Sequence, residues 1–165
     1  VDIGHHVVAY IDVDRFKDVN DTMGHAAGDT LIIGVAERLQ KALTREDFLS
    51  RFGGDEFAVL RTANSAESAQ ELADRLRKSF EESFNVYGQH IKMTASIGIA
   101  MSPDHGMAPQ ELMRHADIAL YQGKNQGRDR AVLGRHAGAA GAIGDGLAVV
   151  GIGHVEQHDL ALGLG

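Results

Sequence analysis

The spacing of apolar and polar positions changes several times along the chain, and each change predicts a new element. An apolar run over residues 6–11 ends abruptly in acids, which is typical of a central strand buried on both faces. Apolar residues then recur every three or four positions over 31–43, which predicts a helix with one core-facing stripe. The short apolar runs 48–50 and 57–60 flank two glycines and predict a hairpin.

The second half of the chain repeats both patterns. A capping box at residues 64–67 opens a second helix, which the apolar stripe extends to about Phe84. Apolar and polar residues alternate over 91–99, which predicts a strand. Pro109 stands where the first turn of a third helix tolerates proline, and a short strand over 130–133 would close the domain.

The predicted order is therefore strand, helix, hairpin, helix, strand, helix, strand. Its core is β-α-β-β-α-β, the ferredoxin-like arrangement, with an added helix and strand. The predicted fold class is thus α/β in the wide sense (α+β), with a central, mostly antiparallel sheet. Right-handed crossovers would place the first strand beside the second strand of the hairpin, at the centre of the sheet. That arrangement would bring Asp12 and Asp55 close together.

Two acidic clusters stand at the ends of these two strands. Asp12 and Asp14 follow the first strand, while Asp55 and Glu56 follow the glycine pair 53–54. The glycines supply the positive φ angles of a type I′ turn, so we expect a tight hairpin that holds its carboxylates rigidly. Neighbouring carboxylates are ligands for a divalent cation. Acids kept at a hairpin tip for solubility are the plainer alternative.

Composition limits the classes of function. The 165 residues fit one domain, and 44% hydrophobic with 24% charged residues is typical of a soluble globular protein. The net charge of −7 disfavours a nucleic-acid surface but allows a small phosphate ligand. The lack of cysteine excludes disulfides and thiolate chemistry and fits a reducing cytosol. No stretch approaches the ~20 apolar residues of a membrane span.

The composition changes from residue 134 onward. Nine of the 20 glycines lie in 134–165, and neither a helical nor a strand period is evident. We therefore expect a domain over 1–133 and a glycine-rich tail or linker of unknown role over 134–165. His154 and His158 read H-x-E-x-H, which differs from the H-E-x-x-H of zinc proteases, so no metal role is assigned to them.

A longer series of motifs resembles one protein family. Residues 53–57 read Gly-Gly-Asp-Glu-Phe, the GGDEF signature, and the chain looks like the catalytic domain of a diguanylate cyclase. The resemblance spans roughly residues 6–133, in order and at family spacing. Its further motifs are D-V-D-R-F-K at 12–17, N-D at 20–21, G-H at 24–25, G-D at 28–29, S-I-G at 96–98, A-D-I-A-L-Y at 116–121, and Lys124 with Gly127-Arg128.

The resemblance implies a palm like that of nucleotide cyclases, and condensation of two GTP molecules into cyclic di-GMP and pyrophosphate. Two protomers of a homodimer would each bind one GTP, so that each 3′-hydroxyl attacks the other α-phosphorus. Asp55 and Glu56 are the implied catalytic residues. Two Mg²⁺ (or Mn²⁺) ions per half-site are implied, because phosphoryl chemistry needs hard cations with oxygen ligands. The implied ligands are Asp12, the Val13 carbonyl, Asp55 and Glu56, and Glu56 is alternatively the base nearest the 3′-hydroxyl.

The same resemblance assigns guanine recognition to Asn20 and Asp29. A carboxylate can accept both N1–H and N2–H of guanine, and adenine lacks that donor pair. The plainer alternatives are a helix cap for Asp29 and a turn residue for Asn20.

Four further residues match family positions that contact the substrate. Lys124 and Arg128 match the phosphate-contacting pair, and Phe16 and Lys17 belong to the loop that wraps the β and γ phosphates. A lysine near a helix carboxyl end is otherwise a common partner of the helix dipole.

Two features depart from the family pattern. Many members carry an R-x-x-D product-inhibition site before the hairpin, and here Thr44 takes the place of its arginine while Asp47 supplies the aspartate. We therefore expect weak or absent feedback through this site. Members usually also have an L-T-x-L-x-N-R segment before the first strand, which the 165 residues do not contain, and part of the pocket wall would be absent with it.

Two functions remain in competition on the sequence. One is an active diguanylate cyclase, and the other is a GTP-binding GGDEF module that regulates a neighbouring domain such as an EAL phosphodiesterase. The family implies GTP, cyclic di-GMP, a second copy of the chain and an additional sensor or EAL domain as partners, in the cytoplasm. Neither nucleic acid nor membrane is an expected partner of this segment.

Overall fold

The computed structural model describes residues 6–62, 66–102, 108–125, 127, 130–133 and 149–151. Its elements follow the predicted alternation, with a split first helix and three additional strands. In chain order they are β1 (His6–Val13), α1 (Phe16–Met23), α2 (His25–Ala42), β2 (Asp47–Arg51), β3 (Glu56–Thr62), α3 (Ala66–Lys78), β4 (Phe84–Val86), β5 (Gln89–Ile91), β6 (Ala95–Met101), α4 (Pro109–Asn125), β7 (Arg130–Leu133) and β8 (Val149–Gly151).

Six strands form one sheet in the order β2-β3-β1-β6-β7-β8. The first strand, β1, lies between β3 and β6 and is antiparallel to both, while β7 runs parallel to β6. The order β2-β3-β1-β6 confirms the ferredoxin-like prediction of a mostly antiparallel sheet. It also confirms that β1 and β3 are neighbours, because the two crossover connections return the chain to the centre of the sheet.

Helices cover both faces of the sheet. On one face, the main core joins strand residues such as Ile11 to Leu31 of α2 and Leu72 of α3. On the opposite face, Leu112 of α4 packs against Val8 of β1 in a smaller cluster. Because successive strand residues point to opposite faces, β1 is buried on both sides, as its continuous apolar run predicts.

The helix α4 approaches the backbone of β6 very closely at Gly98. A Cβ atom at this position would lie 1.9 Å from the carbonyl oxygen of Ala116 and 2.4 Å from the amide nitrogen of Leu120. Both obstacles are backbone atoms, which cannot move aside as a side chain can. Gly98 therefore sets the height of α4 above the sheet, and α4 carries Lys124 near its carboxyl end.

The type I′ turn lies in a different hairpin from the one expected. Neither Gly53 nor Gly54 has a positive φ, so the prediction of a type I′ turn there is wrong, and a four-residue loop joins β2 to β3. Positive φ angles occur instead at Tyr87 (52°) and Gly88 (81°), the two residues between β4 and β5. This short hairpin was not predicted, because its strands have only three residues each.

The second helix and the strand after it are shorter than the pattern predicts. The helix α3 ends at Lys78, not near Phe84, and Arg38 of α2 donates to the carbonyl oxygens of Ser79 and Glu82 just beyond it. Such partners satisfy backbone groups that a longer helix would have paired internally. The strand β6 begins at Ala95, because the alternation before it belongs to β5 and a short connection.

Part of the glycine-rich segment joins the sheet. The strand β8 pairs antiparallel with β7, with Val150 opposite Ala131, although the pattern predicts no strand in 134–165. The remainder of that segment, including His154 and His158, lies outside the described residues. No helix in the described ranges is long and apolar enough to cross a membrane.

A buried ion pair ties β3 to β2. Arg61 Nε lies 2.7 Å from Asp47 Oδ1, and the two side chains are 7% and 0% exposed. The Thr44 amide also donates to the Asp47 carboxylate, at 2.9 Å. Burial by itself would raise the pKa of Asp47, but the hydrogen bonds from Arg61 and Thr44 outweigh it, so the pKa is lower than usual.

Arg61→Met is expected to lower the free energy of unfolding at pH 7 by about 3–5 kcal/mol, because it leaves a buried carboxylate without its counter-charge. Since the pKa of Asp47 is lowered in the folded state, the pair stabilises the protein above the unfolded pKa of about 3.9. This stabilisation is lost as the pH falls through the lower folded pKa. Urea denaturation of both proteins from pH 7 to pH 2 measures the difference.

The matched control is Arg77→Met, which removes the partially exposed pair between Arg77 and Glu81, 3.6 Å apart. Its expected cost is below about 1 kcal/mol. Equal losses of unfolding free energy in the two variants would contradict a stabilising role of the buried Arg61–Asp47 pair. A loss for Arg61→Met that stays constant down to pH 2 would contradict it as well.

Candidate active site

The candidate site is built where β1 ends. In the sheet, Asp12 lies opposite Glu56 of β3 on one side and Ser96 of β6 on the other. The Val13 amide donates to the carbonyl oxygen of Asp55 at 3.0 Å. The loop that joins β2 to β3 is therefore attached directly to the end of β1. This confirms the prediction that folding brings Asp12 and Asp55 together.

Asp14 fixes the turn that follows β1. Its carboxylate accepts hydrogen bonds of 2.7 Å from the hydroxyls of Thr94 and Ser96. Its amide donates to the Thr94 carbonyl at 2.9 Å. The next residue, Arg15, has a φ of 56°, a left-handed conformation that is uncommon for a residue other than glycine. The end of β1 is thus held by side-chain and backbone contacts on the β6 side.

The Asp12 carboxylate is buried beside a second acid. Asp12 is 6% exposed, and Lys124 donates a hydrogen bond to its Oδ2. The net pKa of Asp12 is raised to about 6: burial is the largest cause, the contact with Lys124 lowers the pKa, and the neighbouring Asp55 raises it. Among the described residues, the carboxylates of Asp12 and Asp55 therefore have one ammonium group beside them, that of Lys124. Such a site favours the binding of additional positive charge.

The donor set fits Mg²⁺ or Mn²⁺ held together with phosphate. Within the described ranges, no three acidic or histidine side chains converge closely enough to bind a metal ion by themselves. A magnesium ion in a nucleotide site commonly takes only one or two carboxylates and completes its shell with water and substrate phosphates. Asp12 and Asp55 carry carboxylate oxygens of this kind, and the predicted third donor is the backbone carbonyl of Val13.

The loop between β2 and β3 is held by Arg51. Its guanidinium donates to the carbonyl oxygens of Gly53 and Gly54, at 2.9 Å each. A Cβ on Gly54 would meet no atom within 4 Å, and one on Gly53 would make only an ordinary contact of 3.7 Å with Glu56. Since neither φ is positive, no turn or packing in the described residues requires these glycines. Glycines at these positions leave the backbone of the loop open to close approach by a ligand.

Tyr10 is a site residue that the sequence did not single out. Its hydroxyl donates a hydrogen bond of 2.7 Å to Glu56 Oε2, and its ring stacks on Phe52 with centroids 5.9 Å apart. Burial, followed by the hydrogen bond and the charge of Glu56, raises the pKa of Tyr10 well above its usual value, so the phenol keeps its proton. The signal in the sequence is its position two residues before Asp12, which places both on one face of β1.

The two predicted guanine contacts lie on α1 and α2. A Cβ at Gly28 would lie only 1.7 Å from Asn20 Oδ1, so the side chain of Asn20 rests against the backbone of α2 immediately before Asp29. Both plainer alternatives are wrong. Asn20 lies within α1 and not in a turn, and Asp29 is the fifth residue of α2, because that helix begins at His25 directly after Gly24.

The other residues predicted to contact the substrate lie in different environments. Phe16, the first residue of α1, is buried in the main core at 9% exposure. Lys17 is exposed on the same helix. Lys124 reaches Asp12, at the centre of the acidic site. Arg128 lies outside the described residues.

The fold is the palm-like fold of nucleotide cyclase domains. Residues 3–130 match the family described as "Diguanylate cyclase, GGDEF domain", and the chain belongs to that family. This match covers most of the chain, so the family resemblance seen in the motifs is confirmed.

Named relatives include enzymes of cyclic di-GMP metabolism. The chain is 42% identical over 122 residues to the bifunctional diguanylate cyclase/cyclic di-GMP phosphodiesterase MucR of Pseudomonas aeruginosa, which is 74% of this chain and 18% of that protein. It is 38% identical over 130 residues to diguanylate cyclase A of Treponema denticola, covering 78% of this chain and 35% of that protein. The chain therefore spans only a minor part of the length of these relatives.

Solved structures share the fold. The GGDEF domain of YfiN (TpbB) from Pseudomonas aeruginosa superposes with a TM-score of 0.78 at 38% identity, covering 81% of this chain and 84% of that one. The active GGEEF domain of a diguanylate cyclase from Vibrio cholerae gives a TM-score of 0.70 at 30% identity, covering 81% and 85%. The coiled coil and GGDEF domain of DgcB from Caulobacter crescentus was solved in complex with c-di-GMP. It superposes with a TM-score of 0.67 at 28% identity, covering 79% of this chain and 70% of that one.

Proposed function

We propose that this chain is the catalytic domain of a diguanylate cyclase, which condenses two GTP molecules into cyclic di-GMP with release of pyrophosphate. The observation that carries the proposal is the pairing of buried Asp12 with half-buried Asp55 at the end of β1, where Lys124 is the ammonium group in contact with Asp12 among the described residues. Such a pair destabilises an empty protein but fits a cation-bound triphosphate. Family membership and the cyclase relatives support the same activity.

In the proposed site, Asp12, Asp55 and the Val13 carbonyl would hold the Mg²⁺ (or Mn²⁺) ions that accompany the triphosphate. When bound, the ions neutralise phosphate charge and make the 3′-hydroxyl a better nucleophile. Lys124 contacts Asp12 Oδ2, and with a cation bound to Asp12 its ammonium group would be available to a phosphate. Glu56 serves as a second-metal ligand or as the base nearest the 3′-hydroxyl.

The nucleobase is proposed to lie against α1 and α2. Asn20 is held there by close packing against Gly28, and Asp29 presents an exposed carboxylate one residue further along α2. A carboxylate can accept both donors of the guanine edge, whereas adenine would leave it unpaired at a cost of about 1–3 kcal/mol. Lys17 and Arg128 are proposed phosphate contacts, and Phe16 supports the start of α1 from the core.

Each chain supplies one GTP site, so formation of a cyclic dinucleotide requires two copies to meet face to face. A homodimer is therefore part of the proposal. The multidomain relatives support a further domain, of the sensor or EAL kind, in the full-length protein. GTP is a cytoplasmic metabolite, so we place the reaction in the cytoplasm.

The direct test is incubation of the chain with GTP and Mg²⁺, followed by chromatography of the nucleotides. The cyclase proposal expects cyclic di-GMP and pyrophosphate, whereas a regulatory GTP-binding module would return bound GTP unchanged. Asp55→Ala is expected to abolish the product while leaving the circular dichroism spectrum unchanged. Product formation by Asp55→Ala at the wild-type rate would count against the proposed site.

Product inhibition at the R-x-x-D register is expected to be weak or absent. Thr44 lacks the guanidinium that could bind guanine or phosphate in a bidentate manner, and the Asp47 side chain is 0% exposed and paired with Arg61. Initial rates at several GTP concentrations, measured with added cyclic di-GMP, check this. Noncompetitive inhibition at submicromolar cyclic di-GMP would contradict it.

A further inference from the structure

Tyr10 and Glu56 are diagonal neighbours on the face of the sheet that carries Asp12. The register pairs Tyr10 with Ala58 of β3 and Gly98 of β6, and Glu56 lies two residues before Ala58. Diagonal neighbours lie within reach of long side chains. Because the residues directly beside Tyr10 are small, its ring has room to lie along the sheet towards Glu56. The 2.7 Å hydrogen bond between them therefore follows from the register.

The Tyr10 ring is itself held in place by Phe52. The two rings are stacked with an interplanar angle of 11°, and Phe52 is the first residue of the loop that ends in Asp55. The Phe52 amide also donates to the Glu56 carbonyl at 2.9 Å. A stacked ring on one side and a fixed strand on the other leave the Tyr10 hydroxyl little freedom to move away from Glu56.

Glu56 is consequently held by one of its two carboxylate oxygens. Oε2 accepts the phenol proton, and in the described part of the chain no donor contacts Oε1. A hydrogen bond to a charged acceptor is shorter and stronger than one between neutral groups. The hydrogen bond from Tyr10 therefore fixes the Glu56 side chain, which otherwise rotates about three bonds.

We propose that Tyr10 is a positioning residue for the cyclase reaction, which holds Glu56 so that its second carboxylate oxygen faces the reacting centre. The inference rests on the proposed function, because it concerns the work of Glu56 in that site. In this proposal Tyr10 acts through Glu56, and Phe52 acts through Tyr10.

Tyr10→Phe removes the hydroxyl and keeps the stacked ring. We expect kcat for cyclic di-GMP formation to fall roughly tenfold, which corresponds to about 1.4 kcal/mol, with KM for GTP and the melting temperature nearly unchanged. A second readout is Mn²⁺ affinity in the presence of a nonhydrolysable GTP analogue, measured by electron paramagnetic resonance. The control is Tyr87→Phe, which deletes the same atom from a tyrosine that is 67% exposed, and it should behave as wild type.

A double-mutant cycle with Glu56→Ala separates positioning from a general structural effect. If Tyr10 acts through Glu56, a fall in kcat or in Mn²⁺ affinity caused by Tyr10→Phe disappears in the Glu56→Ala background. Wild-type values of both quantities in Tyr10→Phe, or an equal fall in both backgrounds, would overturn the inference. Failure of the wild-type protein to form cyclic di-GMP would instead refute the proposed function, and the Mn²⁺ measurement would still test the Tyr10–Glu56 contact.

Discussion

Asp12→Asn is expected to abolish cyclic di-GMP formation and, in metal-free buffer at pH 8, to raise the stability of the protein. Loss of the charged metal ligand proposed at Asp12 should reduce the rate of cyclic di-GMP formation by roughly a thousandfold or more. The gain in stability has a separate cause, which is that the Asp12 carboxylate is buried beside Asp55. An asparagine removes the repulsion and can donate a hydrogen bond to Asp55. Product assays with Mg²⁺ and urea denaturation with EDTA measure the two effects.

The pH dependence of the stability difference identifies its cause. The pKa of Asp12 is raised to about 6 in the folded protein, above the unfolded value of about 3.9. Asp12 therefore costs no stability below the unfolded pKa and becomes progressively destabilising as the pH rises through about 6. The advantage of Asp12→Asn should be largest above pH 7, decrease below pH 6, and vanish near pH 4.

Asp14→Asn is the matched control, since it makes the same change two residues further along the chain. Asp14 accepts two hydroxyl hydrogen bonds of 2.7 Å from Thr94 and Ser96, so its replacement should destabilise the protein by about 1–3 kcal/mol. The two variants are thus expected to change stability in opposite directions. Destabilisation of similar size by both, or an advantage of Asp12→Asn that does not depend on pH, would show that Asp12 serves the fold and not a ligand.

The acidic site was predictable because it depends on the central strands. The apolar run of β1 and the crossover rules are enough to place β1 beside β3, and the acids stand directly at the ends of these strands. Tyr10 was not predictable in the same way. Its contact with Glu56 depends on a register in which a shift by one residue would turn Glu56 to the other face.

The errors in the sequence prediction have local causes. The pair Gly53-Gly54 has the composition of a type I′ turn, yet Arg51 holds the loop in another conformation through two carbonyl oxygens. The helix α3 ends at Lys78, where Arg38, far away in sequence, binds the carbonyls just beyond. Contacts of this kind arise only in the folded chain, so a local pattern cannot reveal them.

Gly98→Ala is expected to reduce both stability and catalysis, although residue 98 bears no functional group. The added Cβ would lie 1.9 Å from the Ala116 carbonyl oxygen, so α4 has to move outward, and overpacking of this kind costs about 1–3 kcal/mol or more. The displacement also carries Lys124 away from Asp12. We expect kcat to fall by more than the fraction of unfolded protein explains, as measured by urea denaturation and product assays.

Gly34→Ala provides the control for this prediction, because it adds the same methyl group at a site with space for it. The new Cβ would make an ordinary contact of 3.6 Å with the Phe84 ring, and replacing a glycine inside a helix should stabilise the protein by about 0.5–1 kcal/mol. If Gly98→Ala were as stable and as active as wild type, α4 would not depend on Gly98 for its height above the sheet. The placement of Lys124 beside Asp12 would then need a structural cause other than the close approach of α4 to β6.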